Sequence, residues 1–355
     1  MATAGQEMRV PGRLVRDRTA LMLALALLAG AVALLSLGTG AAGLSPLRLL
    51  SALTGGEALS ARDRVVLFDI RLPRLVMGFL IGGALAVSGA LMQGLFRNPL
   101  ADPGITGVGA GAGLGAVLSI VLGGMLPASL AALAGPHLTA FAAFLGGWSS
   151  TLLLYRVATR EGQTNVATML LAGIALGALS GAVTGVLVYL ADDKQLRDLT
   201  FWGMGSLAGA TWPKIAVGAA MILPLLVLAP LLARGLNALS LGEAQALHVG
   251  LRVQRLKNLA ILGTAAGAGI SVALAGGIGF VGIVVPHLLR LVAGPDNRAI
   301  LPAAALLGGT LLVAADMIAR TIAAPAELPI GVIMALIGAP VFLWILLRQR
   351  GLAGF

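Results

Sequence analysis

The residues that could perform chemistry in this 355-residue chain are few, and their spacing does not assemble a catalytic or metal site. There is no cysteine, and the histidines His137, His248 and His287 are not spaced so that two could bind one metal ion from the same helix. No acidic residue adjoins them, and neither a His-Glu-x-x-His motif nor a phosphate-binding Gly-Lys-Ser/Thr loop occurs. We therefore predict no catalytic residue, metal ligand or cofactor in this chain, so that any ATP would be bound by another subunit.

Arginines near the second apolar block are the first candidates for recognition. Arg71 and Arg74 flank Leu72-Pro73, and Arg320 ends a later apolar block. Because proline biases the preceding residue toward an extended backbone, we expect a stiff entrance to a helix with the guanidinium groups outside it. Two interpretations are open. The arginines bind headgroups or nearby acids, as Arg320 could bind Asp316, or they form a docking surface for an acidic partner.

The long polar loop 233–257 contains the second candidate site. Ser240-Leu-Gly-Glu243 matches a capping box, and Gly250 stands where a left-handed C-cap is expected. The pattern predicts one short helix over 241–249, about 13 Å long, with an apolar face to bury. Such a helix either lies on the lipid surface or binds a cytosolic subunit. The residues assigned to this contact are Leu241, Gly242, Glu243, Ala244 and Leu247.

A turn with two prolines follows the second apolar block. The sequence Asn98-Pro-Leu-Ala-Asp-Pro103 ends one helix and orients the next, because proline cannot continue a helix without losing a hydrogen bond. A turn alone explains this pattern. Its place at the predicted inner mouth of the molecule also suits a gate formed by Asn98 and Leu100.

Glycines recur at four-residue intervals in two apolar blocks. The spacing keeps them on one helix face, which is typical of a groove that receives another helix. The alternative is a strip of small residues that leaves room for cargo. The glycines concerned are Gly107, Gly111 and Gly115 in one block, and Gly173, Gly177, Gly181 and Gly185 in the other.

Composition indicates the elements that must hold these residues. Hydrophobic residues make up 58% of the chain and charged residues 11%, with a mean hydropathy of +0.98. Apolar blocks of about 20 residues can cross a bilayer only as helices. We therefore predict an all-α, polytopic membrane protein, with residues 1–355 in a single domain. About ten transmembrane helices are expected, at residues 20–37, 75–95, 104–124, 136–155, 166–190, 214–232, 258–275, 278–293, 300–319 and 329–347.

The formal net charge of +10 has an explanation in this topology. Most Lys and Arg residues fall in segments that alternate spans place on one side, beginning with the basic segment 1–18. The positive-inside rule puts that side, both termini and the loop 233–257 in the cytoplasm. Membrane lipid is thus an expected partner, and nucleic acid is not.

Several of these stretches, taken together and in order, resemble the permease subunits of type II ABC importers for vitamin B12, ferric siderophores and haem (the FecCD family). The resemblance covers about residues 45–348. The matching stretches are residues 71–74, 83–89 with Gln93, 98–103, 241–243, 279–290 and 327–331.

The resemblance implies a homodimer of ten-span subunits in the bacterial inner membrane, with the translocation path at the dimer interface. It implies that two cytosolic ATPase subunits, which bind ATP and Mg²⁺, grip the helix 241–249. Asn98 and Leu100 would lie near a cytoplasmic gate. A periplasmic binding protein would dock its acidic residues on Arg71, Arg74 and Arg320.

The outer segment 193–207 gives an indication of which cargo is transported. It contains Gln-Leu-Arg-Asp-Leu-Thr-Phe-Trp, which looks most like the haem-uptake branch, so haem is the expected cargo, with a ferric siderophore or vitamin B12 as alternatives. A secondary transporter driven by an ion gradient is the alternative of another class. It would usually place acids or broken helices in mid-membrane, whereas Asp316 lies near one end of its span.

Overall fold

The computed structural model describes residues 17–40, 60–127, 129, 135–160 and 163–350, and these are almost entirely helical. Most of the predicted basic segment 1–18 and the last five residues lie outside the described residues. The α-helices are α1 (Arg18–Gly38), α2 (Ala61–Val65), α3 (Leu72–Phe96), α4 (Val108–Leu122), α5 (Leu138–Ala158), α6 (Val166–Leu190), α7 (Asp193–Met204), α8 (Trp212–Leu228), α9 (Ala233–Leu239), α10 (Glu243–His248), α11 (Val253–Ala275), α12 (Val281–Ala293), α13 (Asn297–Ala319) and α14 (Ile330–Arg350).

The number of membrane-crossing helices is close to the predicted ten. Within the described ranges, nine helices are long and apolar enough to cross a bilayer, and the all-α polytopic prediction is confirmed. The predicted block 278–293 is the exception. Its helix α12 has 13 residues, about 20 Å, which is shorter than the roughly 30 Å of a hydrocarbon core. Left-handed backbone at Gly276 and Phe280 separates α12 from α11.

Helix α3 is the central element, and it packs along α13, α11, α12 and α8. Glycines allow this close approach. A Cβ on Gly82 would collide with the backbone of Gly308 in α13, and a Cβ on Gly89 would collide with Gly282 in α12. Lipid supplies no hydrophobic force between helices, so such close van der Waals packing is what holds the bundle together.

Helix α1 lies against α13 at the edge of this core. Its N-cap Asp17 accepts a hydrogen bond from the amide of Thr19 at 2.8 Å. Arg18 forms an ion pair with Asp296, the N-cap of α13. Burial favours a higher pKa for Asp296, but hydrogen bonds from Arg298 and Asn237 and the charge of Arg18 outweigh it and lower the pKa. The carboxylate thus ties the two inner helix ends together.

The backbone before α3 differs from the predicted extended entrance. A π-helical turn, Val66–Arg71, joins α2 to α3 without a break, and Leu72 is helical with φ −67° and ψ −45°. The expectation of an extended Leu72 is wrong. In the π turn the amide of Leu72 donates to the carbonyl of Leu67, five residues back, and this wider spacing gives room for the ring of Pro73, which has no amide to donate.

The predicted capping box is also wrong. Ser240 donates its hydroxyl to the carbonyl of Asn237 at 2.7 Å, and the N-cap of α10 is Gly242, whose φ is +117°. Helix α10 accordingly starts at Glu243, whose carboxylate binds Lys257 instead of returning to a backbone amide. The left-handed conformation expected of Gly250 is confirmed, with φ +80°.

Candidate translocation and coupling sites

Arg74 lies at the centre of a buried charge cluster near the start of α3. Its Nε donates to both carboxylate oxygens of Asp316 on α13, at 2.8 and 2.9 Å. Its Nη1 donates to both oxygens of Glu327, at 3.0 and 2.9 Å. A guanidinium presents its donors in a planar fork, so it can bind two carboxylates at once. The cluster fastens α13, and the segment before α14, to α3.

Arg71 and Arg320 extend the cluster to the end of α1. Nη1 of Arg71 donates to the carbonyl of Leu37, and Nη2 of Arg320 donates to the carbonyl and hydroxyl oxygens of Ser36 at 2.6 and 2.7 Å. The last carbonyls of a helix have no partner within it and carry partial negative charge. Two arginines therefore cap the C-terminal end of α1.

These arginines do not extend outside the helix bundle as expected. Arg71, Arg74 and Arg320 are 4%, 7% and 8% exposed. Among the residues that the structure describes, Arg62 and Arg64 on α2 are exposed cations near Arg71 in the sequence. The expectation of exposed guanidinium groups is wrong, because α1 and Asp316 offer oxygen acceptors that draw the three side chains inward.

Helix α10 presents an apolar surface that nothing in the described chain covers. Leu241 and Leu247 are 74% and 60% exposed, and Glu243 and Ala244 are exposed beside them. Ala246 is fully buried and anchors the helix. Ala244 and Leu247 are exposed on the helix, and Leu241 is exposed in the turn before it, so the predicted apolar face of 241, 244 and 247 is only partly helical.

The proline-rich turn after α3 is stabilised by two local hydrogen bonds. Oδ1 of Asn98 accepts from the amide of Leu100 at 3.0 Å, and Oδ1 of Asp102 accepts from the amide of Gly104 at 2.7 Å. Burial raises the pKa of Asp102, and the bond from Gly104 opposes this rise. Asn98 is exposed and Leu100 half-buried, so the predicted gate residues lie at the surface of the turn.

Asn98 also lines a cavity of about 470 Å³ between α3 and the inner ends of α1, α9, α12 and α13. Gln93, Asn237 and Arg290 face the same cavity. Sequence reasoning did not predict this cavity, because residues from five helices form it.

The two glycine stripes face different environments. On α4, a Cβ at Gly111 would collide with the carbonyl of Gly146 on α5, and one at Gly115 would collide with Ala142. The packing interpretation is correct for these two residues. On α6, a Cβ at Gly177, Gly181 or Gly185 would meet nothing within 4 Å.

Two further glycines on α4, Gly109 and Gly113, were not predicted to be important and lie on a face of the helix that has open space beside it. A Cβ at Gly109 or Gly113 would also meet nothing within 4 Å. Both residues line a cavity of about 440 Å³ together with Gly177 and Gly181 of α6. The result is an open groove between α4 and α6 with glycines on both walls.

The three histidines do not form a common site. His137 and His248 are exposed, and His287 is buried within α12. Within the described ranges, no group of three His, Cys, Asp or Glu residues is placed to hold a metal ion.

The sequence of this chain, with its buried core, open groove and exposed helix α10, matches a known protein family. The model of the FecCD transport family matches residues 25–348. The chain belongs to the FecCD transport family. This FecCD chain is 48% identical over 282 residues to the hemin transport system permease protein HmuU of Yersinia pestis, covering 79% of this chain and 83% of that protein. It is 42% identical over 329 residues to the vitamin B12 import system permease protein BtuC of Salmonella typhi, covering 92% and 95%.

Solved structures agree with the family assignment. The fold matches an inward-facing conformation of a metal-chelate type ABC transporter with a TM-score of 0.81 and 30% identity, over 93% of this chain and 99% of that one. PsaBC from Streptococcus pneumoniae, solved in complex with a Fab, matches with a TM-score of 0.54 and 17% identity, over 79% and 92%, and shares the fold alone. This FecCD chain is therefore a multi-pass ABC importer permease, the translocating and non-catalytic kind of subunit, and its family implies ATP on a partner ATPase.

Proposed function

We propose that this permease carries haem from the periplasm to the cytoplasm by alternating access, as a homodimer in the bacterial inner membrane. Two cytosolic ABC ATPases bind ATP and Mg²⁺ and drive the cycle, and a periplasmic binding protein delivers the cargo. The observation that carries the proposal is the uncovered apolar surface of α10. Leu247 is exposed on a six-residue helix that is far too short to span a bilayer, and Leu241 is exposed in the turn just before that helix.

Helix α10 suits an ATPase contact better than a lipid contact. Its charged end, Glu243, is about half exposed, and the predicted cytoplasmic loop around it is rich in arginine. Interfacial helices bind lipid through a wide apolar face with aromatic or bulky residues, and α10 has no aromatic side chain. An exposed leucine pair rimmed by charge is instead typical of a protein contact.

The open groove between α4 and α6 supports a large cargo. Small residues on both walls leave room beside the chain, and a second copy of the permease placed against α6 would enclose this room. The similarity to HmuU, named for hemin transport, supports haem as the cargo. The relatives named for vitamin B12 import support that cargo as one alternative, and the similarity to a metal-chelate type transporter supports a ferric siderophore as the other.

Delivery of cargo at the outer side is proposed to involve Arg71, Arg74 and Arg320. These side chains are engaged with Asp316, Glu327 and α1, so an acidic partner must either displace those acceptors or first meet the exposed Arg62 and Arg64. The proposed gate at Asn98 and Leu100 lies at the opposite end of α3.

The decisive experiment reconstitutes the permease in proteoliposomes with its partner ATPase and binding protein. Binding protein loaded with haem, a ferric siderophore or vitamin B12 is offered in turn, and ATP hydrolysis and uptake are measured. We expect uptake only with ATPase and ATP, and the greatest stimulation with haem. Uptake by the permease alone under a proton or sodium gradient would support the ion-driven alternative and overturn the proposal.

A further inference from the structure

A buried lysine connects helix α10 to the rest of the molecule. Nζ of Lys257, on α11, lies 2.7 Å from Oε1 of Glu243, the first residue of α10. The same Nζ donates to the carbonyl of Thr164 at 3.0 Å. The side chain of Lys257 is 5% exposed, so these two oxygens replace most of the hydration of the ammonium group.

Thr164 is held on α11 by a second side chain as well. Its amide donates to Oε1 of Gln254 at 3.1 Å, and Nε2 of Gln254 donates back to the hydroxyl of Thr164 at 2.7 Å. Gln254 is in turn bonded to Asn258, which also accepts from the hydroxyl of Tyr155 on α5. Thr164 is therefore fixed through its amide, its hydroxyl and its carbonyl.

Thr164 stands immediately before the groove helix α6. It is the last residue of the hairpin formed by Thr159–Arg160 and Gln163–Thr164. The next residue, Asn165, is the N-cap of α6, and its side chain accepts from the amide of Thr168 at 3.0 Å. No flexible linker separates the Lys257 contact from the first turn of α6.

We propose that Lys257 is a positioning residue that transmits the displacement of α10 to the start of α6, and so couples the ATPase to the wall of the groove. This inference rests on the proposed function, in which the ATPase moves α10. Separating a buried ammonium from its carboxylate leaves an uncompensated charge, which is unfavourable. When Glu243 shifts, Lys257 and Thr164 therefore move with it, because the alternative is to break the contact.

The test uses the complete reconstituted complex and the variants Lys257→Met, Lys257→Arg and Gln254→Leu. The control is Lys214→Met, which removes the same kind of side chain and one comparable bond, from Nζ to the carbonyl of Gly209 at 2.9 Å, but touches neither α10 nor the hairpin. Co-purification of the ATPase reports assembly. Cargo moved per ATP hydrolysed reports coupling.

We expect Lys257→Met to assemble with the ATPase and hydrolyse ATP while moving at least about fivefold less cargo per ATP, since coupling between sites commonly amounts to a factor of about 5 to 150. Gln254→Leu should act in the same direction, and Lys257→Arg should recover part of the loss. Lys214→Met should keep the ratio of the unaltered complex. A merely structural lysine would lower assembly and hydrolysis together and leave this ratio unchanged.

A second measurement follows the hairpin directly. Because the chain has no cysteine, Gln163→Cys allows one fluorescent label on an exposed hairpin position. ATP should change its emission in the otherwise unaltered complex and not in Lys257→Met. An unchanged transport ratio in Lys257→Met, or an ATP response that survives it, overturns the inference while the importer remains active. Failure of the unaltered permease to assemble with an ATPase would overturn the proposed function instead.

Discussion

The ion pair of Arg74 and Asp316 is buried, and its burial determines how much stability the protein should lose when Arg74 is changed. Arg74→Met removes the guanidinium and keeps an unbranched apolar side chain of similar length. It leaves Asp316, whose side chain is 4% exposed, without its closest donor, the Nε of Arg74, which lies 2.8 and 2.9 Å from the two carboxylate oxygens. Arg320 remains near the carboxylate, but its Nε is 3.6 Å away.

The magnitude follows from removing one partner of a buried pair, which costs about 3–5 kcal/mol. Because Arg320 still attracts the carboxylate, we expect the lower end, about 3 kcal/mol, for Arg74→Met. The bond from Arg74 to Glu327 is a natural internal control. The side chain of Glu327 is 40% exposed, and Arg74 keeps Asp316 as its partner when Glu327 is changed, so Glu327→Gln should cost at most about 1 kcal/mol.

The assay is unfolding in mixed micelles, followed by the fluorescence of the four tryptophans, for Arg74→Met, Asp316→Asn, Glu327→Gln and the double variant Arg74→Met with Asp316→Asn. The double variant removes both charges of the pair and leaves Arg320 with the carbonyl and hydroxyl oxygens of Ser36. It should be more stable than the sum of the single changes implies, with a coupling of roughly 1–3 kcal/mol. A loss for Arg74→Met no greater than that for Glu327→Gln, or additive single changes, would refute the claim that the pair is buried and mutually dependent.

Three further predictions concern packing, coupling and docking. Gly111→Ala should lower the unfolding midpoint because its Cβ meets the backbone of Gly146, whereas Gly113→Ala on the same helix should be tolerated. Leu247→Asp should reduce co-purification of the ATPase at least about tenfold without changing permease stability, because the leucine is exposed; loss of stability instead would mean that it packs within the chain. Arg62→Glu with Arg64→Glu should weaken binding-protein docking, measured in a pull-down at low salt, while the permease stays folded; unaltered docking would assign these arginines to lipid contact.

The sequence predicts the membrane fold well because the relevant signal is local. A block of about 20 apolar residues must be helical in a bilayer whatever lies beside it, and seven of the candidate spans overlap closely with such blocks. The sixth, Trp212–Leu239, continues past its block 214–232 into α9. The second span is longer than its apolar block, Ala61–Phe96 against 75–95, because the π turn lets the helix pass Pro73. That accommodation depends on a hydrogen bond between Leu72 and Leu67, which no residue pattern indicates.

The charged sites are less predictable because their partners are distant in sequence. Arg74 meets Asp316 and Glu327 more than two hundred residues later, so the sequence shows the cations but not their burial. The burial of Lys257 could have been predicted from the sequence. It falls on the same helical face as Val253 and Ile261, both buried, and a lysine on such a face must have an acceptor nearby.

The glycines show why spacing alone could not separate packing from passage. Gly111 and Gly113 stand two residues apart on α4, yet the first contacts α5 and the second faces the open groove. A four-residue repeat fixes which glycines share a face, but the neighbour of that face is decided by tertiary structure. On α6, a Cβ at Gly177, Gly181 or Gly185 would meet no atom of the described chain within 4 Å. Gly181→Leu should therefore leave the monomer folded and impair transport or dimerisation, and a destabilised monomer would show that α6 packs within its own subunit.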